Sequence, residues 1–236
     1  MDFVAGEILA FDKPYRWTSF DVVGKVRWML CRKLGIKKLK VGHTGTLDPL
    51  ATGVVVVCTG KKTKLIDELQ RHTKEYVATL QLGATTPSFD LETPIDENFS
   101  TEHITLSLIE QTIVSFKGEI WQIPPTFSAV KVDGKRAYSY ARKGEEVNLQ
   151  PKLLVIDELE IIGFDENLMQ LTLRVICSKG TYIRALARDI GFALNSGAHI
   201  IALRRTRVGD ISVENCMNIE QFSEMIDAMD DIVGIK

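Results

Sequence analysis

Val41-Gly42-His43-Thr44-Gly45-Thr46-Leu47-Asp48-Pro49-Leu50-Ala51-Thr52-Gly53 runs without a break into Val54-Val55-Val56-Val57-Cys58. The first part holds too much glycine for an ordinary helix and too much apolar surface for a solvated linker. Glycines 42, 45 and 53 permit left-handed backbone or close approach of another segment. Pro49 steers Asp48 away from the α region, into extended or turn geometry. The valine run predicts a buried strand, so the loop is placed at the end of a rigid element, a frequent setting for catalytic groups.

Outward on the amino-terminal side, residues 6–12 read as a strand stopped by Lys13-Pro14. A helix is predicted next: Thr18-x-x-Asp21 resembles a capping box, and Phe20, Val23, Val26, Leu30 and Leu34 recur at helical spacing. Lys25, Arg27, Arg32, Lys33, Lys37, Lys38 and Lys40 form a run with no acid between Asp21 and Asp48, read as a basic helix over 25–40. A solvated face is the commoner fate of such a run. The alternative is a surface that tracks phosphates beside the loop. On the other side, Gly60-Lys61-Lys62-Thr63-Lys64 lacks the first glycine and the Gly-Lys-Ser/Thr tripeptide of a phosphate loop, so a nucleotide-triphosphate site is rejected.

Further along, residues 74–82 alternate as a strand, with Tyr76, Ala78, Leu80 and Leu82 on one face, where a tyrosine is by default a core aromatic. Residues 84–101 are polar and acidic with two prolines and read as a long exposed connection. A helix is expected over 105–116 and a strand over 118–123. In 126–144, Val132-Asp133-Gly134-Lys135 is a hairpin signal, and Lys131, Lys135, Arg136, Arg142 and Lys143 are interleaved with Tyr138 and Tyr140. Bases among aromatics suit an arm that grips looped RNA, and equally a plain solvated hairpin. Two β-rich runs, 153–164 and 168–177, precede a helix through Ala185, Leu186, Ala187, Ile190 and Leu194. Arg184 falls in its first turn, where the helix dipole disfavours a cation and a specific partner is called for. A last strand, 200–203, leads to Arg204-Arg205-x-Arg207.

A chain of 236 residues, 45% of them apolar, is long enough to bury a sizeable core, and a single soluble globular unit is expected. No secretory signal is recognisable, no apolar run approaches a bilayer-spanning length, and a cytoplasmic location is expected. The cysteines at 31, 58, 177 and 216 form no Cys-x-x-Cys pair and the histidines at 43, 72, 103 and 199 share no ligand spacing. Reduced thiols and no metal are the expectation. The net charge of −2 divides unevenly: residues 214–236 carry −5 and the remainder +3.

The Lys13-Pro14 segment followed by Thr18-Ser19, the loop GHTGTLDPLATG at 42–53 and SKGTYIRALARDIG at 178–191 together resemble the tRNA pseudouridine synthase B (TruB) family. The segments at 76, 123–144 and 197–205 (GAHIIALRR) resemble it as well, so the likeness extends to about residue 213. The resemblance implies an α+β pseudouridine synthase fold, a mainly antiparallel mixed sheet flanked by helices with the active-site cleft across the sheet. It implies isomerisation of uridine 55 in the T arm of tRNA to pseudouridine, without metal or other cofactor. Asp48 matches the catalytic aspartate, which attacks the sugar C1′ or the base, or acts along a glycal route; Arg184 matches its arginine partner. Tyr76 matches the catalytic-site tyrosine that stacks on the flipped base and has been considered as a proton acceptor, Tyr182 and Leu203 the residues lining the uracil pocket, and His43 the residue that fills the vacated stack.

Lys25, Arg27, Arg32, Lys33, Lys131, Arg136, Arg142, Arg204 and Arg205 are then expected on the RNA backbone. The catalytic domain is read as 1–213, with an RNA-gripping arm at about 124–147 and an acidic helical tail at 214–236 in place of the small PUA-type domain of many bacterial members. A monomer with no obligatory protein partner is expected. Two readings compete: an inactive RNA-binding module on this scaffold, disfavoured by the presence of Asp48 and Arg184, and a small-molecule hydrolase or transferase using Asp48.

Overall fold

The capping box opens the first helix. In the computed structural model, which describes residues 1–132, 134–141, 143–145 and 147–229, Thr18 Oγ1 accepts from the Asp21 N–H at 3.0 Å. The Asp21 carboxylate in turn accepts from the Thr18 N–H at 2.8 Å. Along the chain run β1 (Ile8–Lys13), α1 (Ser19–Lys33), β2 (Val41–His43), β3 (Thr52–Thr59), α2 (Ile66–Leu69), β4 (Lys74–Leu82), β5 (Ala84–Thr85), β6 (Glu97–Asn98), α3 (Leu106–Val114) and β7 (Gly118–Gln122). There follow β8 (Lys131–Val132), β9 (Lys135–Arg136), α4 (Ala137–Ala141), β10 (Lys152–Asp165), β11 (Gln170–Cys177), α5 (Ile183–Ala193), β12 (Ala198–Val208), β13 (Ile211–Ser212) and α6 (Ile219–Asp227). The fold is α+β with a mixed, mostly antiparallel sheet.

The chain divides into two compact units, Met1–Lys74 with the segment from Arg204 onward, and Glu75–Leu203. In the first, β3 is buried along almost its whole length, which is why it reads as unbroken valine rather than as alternation. It pairs antiparallel with β1 (Phe11↔Val55) and β2 (His43↔Val57), and parallel with β12 at Arg204↔Thr52 and Arg205↔Gly53. α1 buries Val22, Val23, Val26, Met29 and Leu30. α6 buries Ile219, Phe222 and Ile226, and the Phe222 ring meets Phe11 edge-on at 5.2 Å. The acidic tail is thus anchored through an apolar stripe; Asp230 and Asp231 lie outside the described residues.

Three expectations for this unit change. Phe20, expected in the core, is 65% exposed; at 3.6 residues per turn it stands about 120° around α1 from Val26. The basic helix expected over 25–40 ends at Lys33, so Lys37, Lys38 and Lys40 lie on the connection to β2. The last strand extends through the arginines, because β13 turns back on it at Val208↔Ile211 and prolongs the ladder.

In the second unit β10 lies between β7 (Leu154↔Ile120) and β11 (Leu159↔Val175), antiparallel to both. β4 alternates as expected, with Tyr76, Ala78, Leu80 and Leu82 buried. On its other face one guanidinium, Arg174, meets Glu75 at 2.8 Å, Glu158 at 2.7 Å and Glu160 at 2.9 Å, and the three carboxylates hold its pKa well above the usual arginine value. The expected exposed connection at 84–101 is instead partly internal: β5 pairs with β6, and Thr86, Ser88 and Asp90 are buried. These polar groups tolerate burial by satisfying one another, with Thr86 Oγ1 donating to the Asp90 carbonyl at 2.7 Å and Ser88 Oγ 2.8 Å from Thr93 Oγ1. The hairpin expected at 132–135 is formed by β8 and β9, and Asp133 at its turn lies outside the described residues.

Gly53 has φ +108°, and a Cβ there would stand 2.1 Å from the Arg205 carbonyl oxygen. Gly53→Ala is expected to destabilise the fold by about 2–4 kcal/mol through strain and loss of the β3–β12 pairing; a urea denaturation midpoint equal to wild type would refute this.

Candidate active site

Asp48 lies in the irregular loop between β2 and β3, and both of its neighbours are tied to the scaffold. The Leu47 N–H donates to Ser19 Oγ at 2.8 Å, at the first residue of α1. The Pro49 carbonyl accepts from the Arg16 N–H at 2.8 Å and from Lys13 Nζ at 3.3 Å. Lys13 is 0% exposed and also donates to the carbonyls of Trp17 at 2.6 Å and Pro14 at 3.0 Å. Burial pushes its pKa down to about 8, against the charge of Asp48, so Lys13 stays largely protonated at neutral pH.

Arg205, expected on the RNA backbone, is 3% exposed. Its Nε donates to the Val54 carbonyl at 2.7 Å, and its terminal nitrogens donate to Gly45 at 3.2 Å and Thr46 at 3.3 Å. Strand pairing with Gly53 draws the side chain inward, and it holds the loop instead of facing solvent. His43 ends β2, and its buried Nδ1 has no hydrogen-bond partner. Burial, then the Arg205 charge, lowers its pKa against a contact to the Gly45 backbone, so the ring is neutral at pH 7.

In the second unit Arg184 is 5% exposed in the first turn of α5. Its Nε lies 3.6 Å from the Asp90 carboxylate, while its terminal nitrogens donate to the Ser88 and Phe127 carbonyls, each at 3.0 Å. This cluster supplies the partner that a cation at a helix amino terminus requires. Sequence reasoning misses Asp90. Its only signal there is an acid beside Ser88 and Phe89 between two prolines, inside a segment whose polarity suggests solvent. Phe89 has φ 60°, its carbonyl accepts from the Ile200 N–H at 3.0 Å, and Arg188 lies over its ring at 5.1 Å. The loop that presents Asp90 is therefore held at Thr86, Ser88 and Phe89.

Tyr182 caps α5, its N–H donating to Gln122 Oε1 at 2.9 Å and its carbonyl accepting from Gln122 Nε2 at 3.2 Å. Tyr76 is buried on β4, and Leu203 is half-buried on β12.

The remaining expected RNA contacts differ in what they already hold. Lys25 and Arg32 are exposed on α1, 5.0 and 5.5 Å from the Trp28 ring. Arg27 donates to the Val41 carbonyl at 2.9 Å, and Lys33 Nζ is 3.5 Å from the Asp227 carbonyl. Arg204 forms a two-point pair with Asp12 at 2.7 and 3.2 Å. Lys131 and Arg136 are exposed on the β8–β9 ribbon, Arg136 donating to the Ala129 carbonyl at 2.6 Å. Arg142 lies outside the described residues.

Arg205→Lys is expected to cost about 2–3 kcal/mol despite conserving charge, because an ammonium cannot span three carbonyls set for a fork; urea denaturation at neutral pH reads the loss. Lys13 gives a pH signature. Its folded pKa of about 8 lies below the ordinary lysine value of 10.5, so between these pH values the unfolded chain holds a proton that the folded chain has released. Stability therefore gains from this group as pH rises through the window, and the gain should be absent in Lys13→Met. Comparing wild type and variant by denaturation at pH 8.0 and 9.5, equal pH slopes would contradict it.

The family model described as "TruB family pseudouridylate synthase (N terminal domain)" matches residues 32–183, and that described as "tRNA pseudouridylate synthase B C-terminal domain" matches 184–232. The tRNA pseudouridine synthase B of Phocaeicola vulgatus is 64% identical over 227 residues, 96% of either chain. That of Flavobacterium johnsoniae is 51% identical over 226 residues, 95% of this chain and 98% of the relative. Among solved structures, a Cbf5-Nop10-Gar1 complex contains a chain with TM-score 0.68 and 29% identity, covering 94% of this chain and 54% of that one. An H/ACA RNP bound to a substrate RNA containing 2′-deoxyuridine gives TM-score 0.67 at 26% identity, over 97% of this chain and 57% of that one. This chain thus spans little more than half the length of those two solved chains. With family models over 32–183 and 184–232 and relatives this similar along nearly its whole length, the chain belongs to the TruB family of pseudouridylate synthases.

Proposed function

We propose that this chain isomerises uridine 55 in the T arm of tRNA to pseudouridine, with Asp48 as nucleophile and Arg184 as its partner. The observation that carries the reading is the loop of Asp48, whose backbone is bound on both sides of the carboxylate by two buried cations, Lys13 and Arg205. Such fixing serves a group that must meet a reacting atom within a fraction of an ångström. The relatives are named tRNA pseudouridine synthase B, and one of the similar solved assemblies, the H/ACA RNP, is bound to a substrate RNA.

The target base sits in a folded RNA loop and must be extruded, at a cost of a few kcal/mol in unstacking. His43, neutral and partly buried at the end of β2, fills the vacated place. Tyr76 stacks on the flipped uracil while Tyr182 and Leu203 line its pocket. Asp48 then acts at the sugar C1′, at the base, or along a glycal route. In each, the N1–C1′ bond breaks, the base turns, the C5–C1′ bond forms, and the C5 proton leaves as N1 acquires one. The change is redox-neutral. A guanidinium paired with a nucleophilic carboxylate orients it toward the reacting atom. We further infer that the chain acts as a cytoplasmic monomer; among the described residues no helix is long and apolar enough to cross a membrane.

Tritium release from a tRNA transcript labelled at uridine C5 tests the reaction. Wild type is expected to release label, and Asp48→Asn to release none while still binding tRNA, since the exchange removes charge but little volume. Arg184→Lys is expected to lose at least about 100-fold in rate, because an ammonium cannot reproduce a planar clamp. Turnover by Asp48→Asn would remove the nucleophile role, and tight tRNA binding without release by wild type would favour an RNA-binding module.

A further inference from the structure

The outer face of α1 carries a feature that neither the core nor the reaction uses. Phe20 is 65% exposed and Trp28 54% exposed. They stand eight residues apart with Gly24 midway, so all three share one row along the helix, a span of roughly 12 Å. Gly24 sits inside a helix, where glycine is among the weakest formers, yet its φ is not positive and a Cβ there would meet nothing within 4 Å. Neither backbone geometry nor packing within the chain requires it. What the glycine provides is a gap between two exposed aromatic rings.

The charge around that gap selects a partner. α1 carries Lys25, Arg27, Arg32 and Lys33 against a single acid, Asp21, whose carboxylate already accepts from the Thr18 N–H and hydroxyl. Lys25 Nζ and the Arg32 guanidinium lie over the Trp28 ring, 5.0 and 5.5 Å from its centroid. Just before the helix, Tyr15 is also exposed, with Arg16 at 5.6 Å from its ring. Exposed rings with cations resting over them are the elements of a surface that stacks unpaired bases. Each base takes the place of a cation on the ring, and the long cationic side chain swings to the adjoining phosphate. An apolar protein partner would leave these cations desolvated and unpaired.

We propose that this face of α1 is a second RNA contact, on which unpaired bases of the substrate RNA stack against Trp28 and Phe20 across the gap over Gly24, with Lys25 and Arg32 on the adjoining phosphates. The proposal rests on the reading above that the substrate is a folded RNA. It differs from a plain basic face in needing the aromatics and the gap as well as the charge.

Titration of a fluorescein-labelled tRNA transcript distinguishes the two. Trp28→Ala, Phe20→Ser and Gly24→Leu, all at solvent-facing positions, are each expected to raise the Kd about 10-fold, with the slope of log Kd against log salt unchanged. Lys25→Gln combined with Arg32→Gln is expected to reduce that slope by about 1.4, at roughly 0.7 for each single-strand phosphate left unneutralised. Wild-type affinity in all three aromatic and glycine variants, with tritium release by wild type intact, would overturn the platform and leave the proposed reaction standing. Neither binding nor release by wild type would overturn both. Loss of self-association in sedimentation, without loss of tRNA affinity, would assign the face to a second copy of the chain and overturn the RNA contact.

Discussion

Arg205 has given up its water, and the carbonyls of Gly45, Thr46 and Val54 replace it. A guanidinium buried without partners would cost several kcal/mol, so its donors must find acceptors, and the acceptors within reach belong to the Asp48 loop and the strand that follows it. The loop in turn has few regular hydrogen bonds of its own. Each therefore completes the other: the cation is satisfied only when the loop is folded, and the loop has one conformation in which its carbonyls converge. Lys13 does the same from the other side of Asp48, through Pro49. The strand pairing that brings Arg205 to Gly53 is the condition for all of this.

Arg184 shows the same solution in the second unit. A cation in the first turn of a helix is opposed by the dipole and, when buried, by desolvation. The carbonyls of Ser88 and Phe127 with the Asp90 carboxylate overcome both. Here too the acceptors come from irregular backbone, and around Ser88 it is held by short links from Thr86 to Asp90 and between Ser88 and Thr93, and by the left-handed turn at Phe89. Buried cations on regular elements thus organise the irregular loops around Asp48 and Asp90.

How much of this is legible in the sequence depends on what each residue's neighbours along the chain reveal. The alternation of 74–82 and the valine run of 54–58 are readable because a half-buried and a fully buried strand leave different apolar patterns. Thr18 and Asp21 are readable because both halves of a capping box lie within one turn. Phe20 misleads, since spacing alone admits any apolar residue near the core stripe. Arg205 misleads because a charge does not disclose whether it is solvated. Asp90 escapes notice because its partner is distant; Ser88, two residues before it, lies 96 residues from Arg184. The family likeness, carried by 42–53 and 178–191, implies the roles proposed for Asp48 and Arg184, which periodicity cannot supply.

Arg174 has a different kind of consequence. It sits on the open face of β11, one residue from Leu173 and Val175, whose side chains are buried. Sliding β11 by a single residue would carry its guanidinium into the core and leave Glu75, Glu158 and Glu160 facing one another with no counter-ion. The penalty is double, desolvation on one side of the sheet and mutual repulsion on the other. Arg174 therefore works as an alignment mark: one ion cluster lets strands from distant parts of the chain zip together in a single frame, and it does so by making the neighbouring frames untenable.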